Sequence, residues 1–518
     1  MRTRYVEELG HCSPSRTATP YAPCRGGEEE FVITPELSER MERHLLESDF
    51  AHHGLRGEQN LLCPWDPERP FHEPLLALVV TAAQGVVRQL HAERFAAVSD
   101  RSIPEIAERL GDDLPVIEEL FGMSLAEIVP FLGLHAVRLV GGEVRANTPR
   151  FIDVAARIHA AHECPVLLHA SPNARGYEPG IGTLTRFMAR FLTFKLGLAG
   201  GDYFSAGWGS VTEQAHEMIA SNGHPLSPAL LMPALQTILG LARSQGYSVR
   251  LGTRSTHHLW TRLNPTAMAR LYCRPLRDTV AEVREAMEQG MRIGLDTLGG
   301  AGYRSVWSIF HELSIHEVFD PDLIIRAPED AFFHGVGLAN VELTESAPRI
   351  RPQNLALSCP ERARSANYET LLAHNPPGQV VMIVAPDGEE VVLAQVVPRS
   401  EAPALEARGI AWIPLDEKRR LALHRSWNDD DRDETRGRRE PSILHHNVLG
   451  ERNDVRLCAP LSAVLTCARR TIAYARTQDP QHLYLHAPPL PPLVGSHAEA
   501  SLAGRSERTQ GQEPPARP

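Results

Sequence analysis

The chain has 518 residues, room for about three to four domains with sizeable cores. With 53 basic against 64 acidic residues its formal net charge is -11, which excludes a general attraction to nucleic acid. Apolar residues make up 42%, but the longest apolar stretch, residues 75–83, is too short to span a bilayer, so no membrane partner is expected either. Met1-Arg2-Thr3-Arg4-Tyr5-Val6-Glu7-Glu8 lacks the apolar core of a secretory signal, and a cytoplasmic protein is the expectation. The eight cysteines are scattered without a Cys-x-x-Cys pair, against a zinc ribbon or a disulfide framework. None of the histidines falls in His-Glu-x-x-His spacing. The adjacent pairs His52-His53, His257-His258 and His445-His446 cannot both face one metal from a regular strand, so surface or capping roles are read for most histidines.

In chain order, residues 1–48 are mixed, with a short helix around 36–47. Periodicity predicts a helix over 73–94, and Ser102 with Glu105 three residues on caps another. A buried strand at 136–140 runs into the polar turn Gly141-Gly142-Glu143-Val144-Arg145. A helix over 149–161 and a strand at 165–169 follow. The next helix, 183–196, carries Leu184, Phe187, Met188, Phe191 and Leu192 on one face. The pattern repeats with a helix at 277–289, a strand at 291–296, the loop Gly299-Gly300-Ala301-Gly302, and a helix at 303–313. Such a strand, glycine loop and helix start can cradle an anion, and close packing of helix on strand demands glycine equally. Alternation on this scale predicts an α/β fold of repeated α/β/α layered domains.

Val380-Val381-Met382-Ile383-Val384 and Val391-Val392-Leu393 flank Ala385-Pro386-Asp387-Gly388-Glu389-Glu390. This reads as strand, acidic turn, strand: either a plain hairpin, or a cation loop with Asp387 and Glu389 at its mouth. Asp49-Phe50-Ala51-His52-His53-Gly54-Leu55-Arg56-Gly57 suits a turn that offers Arg56 to a phosphate, or a structural turn with Arg56 facing solvent. Beyond about residue 415 the periodicity fades into Asn428-Asp429-Asp430-Asp431-Arg432-Asp433-Glu434. Charge this dense cannot bury enough apolar surface to offset its ordering entropy. A modest apolar patch returns at 461–474, and 488–518 reads as disordered.

Taken in order, these segments resemble the alpha-D-phosphohexomutases, the phosphoglucomutase/phosphomannomutase family. Phe50, Gly54, Arg56 and Gly57 are similar to the opening Phe-Gly-Thr-Ser-Gly-x-Arg-Gly of that family. The segment 141–145 resembles its Gly-x-Asp-x-Arg, with Glu143 for Asp. Residues 296–302 resemble its Asp-x-x-x-Gly-Ala-Gly loop, and 330–335 its Asp-x-x-Phe-x-x-Gly. The turn at 385–390 falls where the family carries Asp-x-Asp-Gly-Asp-Arg, its magnesium loop. The resemblance spans 49–396. It implies an extension at 1–48, a first domain at 49–265 with a helical insertion near 95–134, a second at 266–348, a partial third at 349–417, and a tail at 418–518. The family's sugar-recognition and phosphate loops are not found beyond the magnesium loop, and a fourth domain is not recognised. A shift of reading frame upstream of Lys418 would produce this change of character.

The resemblance implies a hexose phosphate ligand, Mg²⁺ and a hexose bisphosphate activator as cofactors, and phosphoryl transfer between C1 and C6 of a hexose phosphate. It implies Arg56 and Arg145 on phosphate, and Asp387 and Glu389 on the metal. The sequence departs at the chemistry. The glycine approach at 200–201 puts Gly207 at the position of the phosphorylated serine; the nearest hydroxyls, Ser205 and Ser210, are displaced by several Å of extended chain. Ala385 removes a carboxylate, and Glu390 stands where the family has Arg. Impaired mutase activity is therefore the expectation. The alternatives are a non-catalytic hexose-phosphate- or protein-binding relative and a decayed homologue. Oligomeric state is not legible.

Overall fold

The structure, a computed structural model, describes residues 110–134, 136–145, 148–161, 164–169, 182–207, 214–223, 260–331, 333–335, 377–408, 410–425 and 458–486, with short strands at 21–23, 29–32, 55–57 and 248–251 and a few isolated positions. The helices expected over 73–94 and after Ser102 fall outside these, as do Ser210, the three histidine pairs and all but isolated positions of the helix at 36–47.

The strands are β1 (Tyr21–Pro23), β2 (Glu29–Val32), β3 (Leu55–Gly57), β4 (Arg138–Gly142), β5 (Val166–His169), β6 (Gly200–Phe204), β7 (Gln214–Ile219), β8 (Ser248–Leu251), β9 (Trp260–Leu263), β10 (Ile293–Asp296), β11 (Phe319–Ile325), β12 (Val380–Val384), β13 (Val391–Pro398), β14 (Ala411–Pro414) and β15 (Arg419–Arg425). The α-helices are α1 (Leu114–Phe121), α2 (Leu125–Leu134), α3 (Thr148–Ala161), α4 (Arg186–Lys195), α5 (Pro265–Cys273), α6 (Ala281–Glu288), α7 (Gly302–Glu312), α8 (Ala402–Ala407) and α9 (Ala459–Thr477).

Two six-stranded mixed sheets carry the site, in the orders β3-β7-β6-β4-β5-β9 and β11-β10-β12-β13-β15-β14; β1, β2 and β8 form a small third sheet. In the first sheet β6, β4, β5 and β9 run parallel, and β7 and β3 turn antiparallel at one edge. In the second, β11, β10 and β12 are parallel and the remaining pairings antiparallel. The α/β class expected from the alternation is the observed one. Strands β4, β5, β6 and β12 are buried along their whole length, which explains why they read as continuous apolar or small-residue runs rather than alternating ones. Strands from the segments 266–348 and 349–417 share the second sheet. Val381 and Met382 of β12 find their parallel partners in Gly294 and Leu295 of β10.

Two departures from expectation have simple causes. The helix expected from residue 183 starts at Arg186. Thr183 and Thr185 stay outside it because their hydroxyls donate outward, to Glu329 Oε1 at 2.6 Å and Ser305 Oγ at 3.4 Å, while Leu184 N donates to Gly142 O at 2.9 Å. The charged tail expected from residue 418 begins instead with β15, paired along its length with β13. Its alternation of Leu421, Leu423 and charged neighbours is too short and basic to stand out from the sequence around it. Farther on, α9 packs against α6 and places Leu461, Val464, Leu465, Ala468 and Ile472 in the main core, with Arg469 on Glu282 at 2.8 Å at the rim. None of the helices among the described residues is long and apolar enough to cross a membrane. Cys164, Cys273, Cys458 and Cys467 are buried, and none of them is in a disulfide.

Buried histidines set an acid limit on this fold. Burial pushes His169 down to about 4 and His424 down to about 3, from an ordinary value of 6.5. Both are neutral in the native state and charge first in the unfolded chain, so the stability they contribute is complete above pH 6.5 and is lost as pH falls through that window toward 4 and 3. We expect the thermal midpoint to drop steadily below pH 6.5, and His424→Leu to remove part of that slope. A midpoint independent of pH across the window contradicts this.

Candidate active site

Five segments far apart in the chain meet where the carboxyl ends of β4, β6, β10 and β12 face one another. Beyond β4 the chain bends at Val144, and Glu143, Val144 and Arg145 are all buried. Arg145 pairs with Glu143, donates from Nη2 to Gly207 O at 3.3 Å, and holds its guanidinium 4.9 Å over the Phe333 ring. Beyond β6, Ser205 is 1% exposed. Its Oγ accepts from Gly207 N at 2.9 Å and donates to Asp387 Oδ2 at 3.3 Å. Gly207 stands at φ 53°, in the left-handed region, and a Cβ on it would lie 3.3 Å from Asp387 Oδ2. Arg56 lies on β3 in register with Ala215 of β7.

The acidic turn between β12 and β13 is the hairpin that its Pro-Asp-Gly chemistry predicts. Ala385 N donates to Glu390 O at 2.9 Å, Gly388 N donates to Ala385 O at 2.8 Å, and Gly388 takes φ 76°. Unlike a surface hairpin it is buried, with Asp387 at 2% and Glu389 at 5% exposure. Glycine makes the burial possible. A Cβ on Gly300 would stand 2.4 Å from Pro386 Cα, and Ala301 N donates to Pro386 O at 2.8 Å. The loop at 299–302, read as either an anion cradle or a packing device, therefore packs: its backbone grips the acidic turn and gives that turn one of its N–H groups.

From the other side, α4 meets the turn end-on, with Arg186 N donating to Asp387 O at 2.8 Å. Arg186 and Arg190, one helical turn apart on one face of α4, point into the turn. Arg186 pairs with Glu389, places Nη2 3.1 Å from Asp387 Oδ2 and has Nε 3.4 Å from Glu217 Oε2. Arg190 pairs with Glu389 and donates to Glu217 Oε1 from Nη2 at 2.7 Å and Nε at 3.0 Å. Burial opposes the charge on Arg186, but Glu389, Asp387 and Glu217 outweigh it and hold its pKa well above the ordinary value. Burial, then the Asp387 charge, raises the Tyr203 phenol; its hydroxyl donates to Leu184 O at 2.8 Å, and Arg186 lies 5.7 Å over its ring.

A second buried network lies beneath the first. Asp202 of β6 accepts from Arg138 Nη2 at 3.0 Å and sits 2.7 Å from His159 Nε2 and 2.8 Å from His216 Nε2. Burial would raise the Asp202 carboxyl, but Arg138 and the histidines hold it well below the carboxylate range. Burial keeps His159 below its ordinary value despite the pull of Asp202. In the second sheet Asp296 accepts from Leu298 N at 2.9 Å and pairs with Arg326. These groups brace the middle of β6 and the end of β10, and both carboxylates have a cationic partner.

The structure thus brings together Arg145, Ser205, Gly207, Asp387 and Glu389. The expected Mg²⁺ does not fit what surrounds Asp387 and Glu389. Asp387 Oδ1 accepts from Glu389 N at 3.1 Å, and its Oδ2 and both Glu389 oxygens face guanidinium nitrogens. Among the described residues no group of three His, Cys, Asp or Glu side chains could hold a metal ion. Sequence reasoning missed Arg186, Arg190 and Glu217. The signal was present: two arginines four residues apart, set among Phe187, Met188, Phe191 and Leu192 on a helix otherwise read as core.

No protein-family model matches the chain, and no curated protein does. Solved structures similar to it include a protein assigned as a phosphomannomutase from Thermus thermophilus, at 17% identity and a TM-score of 0.36, over 50% of this chain and 48% of that one. A phosphoglucomutase/phosphomannomutase family protein from Burkholderia thailandensis matches at 11% identity and a TM-score of 0.31, over 55% and 50%. The exocytosis-sensitive phosphoprotein parafusin, a phosphoglucomutase from Paramecium, matches in its open form at 11% and 0.37, over 53% and 48%. The chain spans about half the length of these solved structures.

The close approach at Gly300 is open to a direct test. Because the obstructing atoms are backbone, Gly300→Ala must separate the loop from the turn, and we expect a loss of about 2–4 kcal/mol in unfolding free energy by denaturant titration. A change within about 0.5 kcal/mol would contradict the packing role of this loop.

Proposed function

We propose that this chain is a phosphohexomutase-like protein that binds a hexose phosphate at the meeting point of the two large sheets and does not carry out the mutase reaction. The ordered series of motifs, and the meeting of the segments that carry them, support the ligand class. Arg56 is the proposed phosphate contact, while Arg145, read from the sequence as a second, is buried against Glu143 and Gly207 O and is assigned to positioning the segment at 205–207.

The observation that carries the reading is the state of the chemical centre. Phosphoryl transfer depends on a positioned acceptor and on positive charge where phosphate oxygens develop charge. At the acceptor position Gly207 has no side chain, and its φ of 53° strains any replacement. Ser205 is buried, with its hydroxyl engaged on both sides, and we assign it to holding the turn rather than meeting substrate. A phosphoryl group on residue 207 would face the Asp387 carboxylate, whose cationic partner Arg186 is already committed to three acidic side chains.

The test combines a coupled assay of glucose-1-phosphate conversion, with glucose-1,6-bisphosphate and Mg²⁺, and a thermal shift with the same sugar phosphate. We expect no turnover, and a midpoint raised by hexose phosphate more than by equimolar inorganic phosphate or free hexose, because a ligand selective for the native state raises its apparent stability. Turnover abolished by Ser205→Ala or Ser210→Ala would overturn the non-catalytic reading. A midpoint indifferent to hexose phosphate would overturn the binding reading.

A further inference from the structure

We infer that Arg186 and Arg190 are permanent internal replacements for a divalent cation, so that the acidic turn at 386–390 is a charge-compensated, metal-free site by construction. The turn has the chemistry of a cation loop: two buried carboxylates, Asp387 and Glu389, and a third, Glu217, beside them. A buried carboxylate group of this size needs positive charge nearby, because desolvating uncompensated charge is strongly unfavourable. Here the charge comes from the chain itself.

Four features make the replacement permanent rather than a ligand-displaceable contact. A guanidinium keeps its proton at any ordinary pH, so neither arginine can vacate the site by titration as a lysine could. Arg190 is 1% and Arg186 8% exposed, and α4 is buried along nearly its whole length, which leaves neither side chain room to swing out. Each arginine spans more than one carboxylate, Glu217 and Glu389 for Arg190, and Glu389, Asp387 and Glu217 for Arg186. Finally, α4 is tied to the turn through Arg186 N and Asp387 O, so the arginines and their acceptors move as one body.

The balance of charge agrees. Three carboxylates face two guanidiniums, and the Asp387 carboxylate takes two neutral donors besides, the Ser205 hydroxyl on Oδ2 and Glu389 N on Oδ1. Magnesium demands near-octahedral oxygen ligation at short range and yields its waters reluctantly. To enter, it would have to displace a guanidinium from oxygens that already have donors while standing beside two fixed positive charges. Removing one guanidinium should reverse this preference.

The experiment uses the full chain and the metal alone, with no sugar phosphate, so its outcome is separate from that of the hexose-phosphate test. Thermal midpoints are compared in MgCl2, in MnCl2 and in choline chloride of matched ionic strength, for the wild type and for Arg190→Gln. We expect the wild type to give the same midpoint in all three. We expect Arg190→Gln to melt lower in choline chloride and to recover several degrees in Mg²⁺ or Mn²⁺. Recovery of soluble, folded Arg190→Gln only when it is prepared in Mg²⁺ or Mn²⁺ supports the same conclusion. A wild-type midpoint raised by Mg²⁺ and returned to the choline value by Asp387→Asn overturns the inference. So does an Arg190→Gln protein that folds but ignores divalent cations, and, should that variant not fold in any salt, Mn²⁺ bound by the wild type in an electron paramagnetic resonance titration and lost in Asp387→Asn.

Discussion

The ion cluster of Arg186 and Arg190 with Glu217, Asp387 and Glu389 is the constraint on which the site depends. It joins a helix packed on the first sheet to a turn of the second, and all five side chains are buried. Ion pairs in such surroundings are not simply stabilising: desolvation offsets much of the attraction, while loss of one partner costs about 3–5 kcal/mol because the other charge is stranded. The cluster therefore acts chiefly as a specifier. It permits one register of turn against helix and disfavours any displacement that separates the charges.

The backbone around the cluster is shaped to the same end. Gly300 lets Pro386 approach to contact, and Gly388 lies where a Cβ would stand 2.6 Å from Thr185 Cγ2. Gly207 similarly leaves room beside Asp387. Two flanking glycines and one within the turn allow the close packing, and the arginines of α4 neutralise the acidic side chains. The result is a braced junction, with Ser205 serving as one more donor to Asp387.

Most elements were legible because their periodicity was strong. The apolar runs of β5, β10 and β12 and the amphipathic faces of α3 and α7 end within a few residues of where the sequence places them. The Pro-Asp-Gly turn was legible because its residues have few other uses. Long-range pairing was less so. Arg190 and Glu389 are 199 residues apart, and nothing in either neighbourhood names the other. The role of β15 and α9 was hidden by the charged composition between them, which masks two segments whose partners, β13 and β14 for one and α6 for the other, lie elsewhere in the chain. A loop of two glycines, an alanine and a glycine has two physical uses, and only the position of Pro386 shows which one applies.

The central claim is that the turn is held by charge compensation from α4. A double-mutant cycle of Arg190→Met and Glu389→Gln, read as unfolding free energy in denaturant, tests it most directly. Arg190→Met alone leaves three carboxylates on one guanidinium, an excess of two; the double variant restores the original excess of one. The account predicts that the double variant is more stable than Arg190→Met, with a coupling energy above about 1 kcal/mol. Additive losses, with the double variant the least stable of the set, would contradict it.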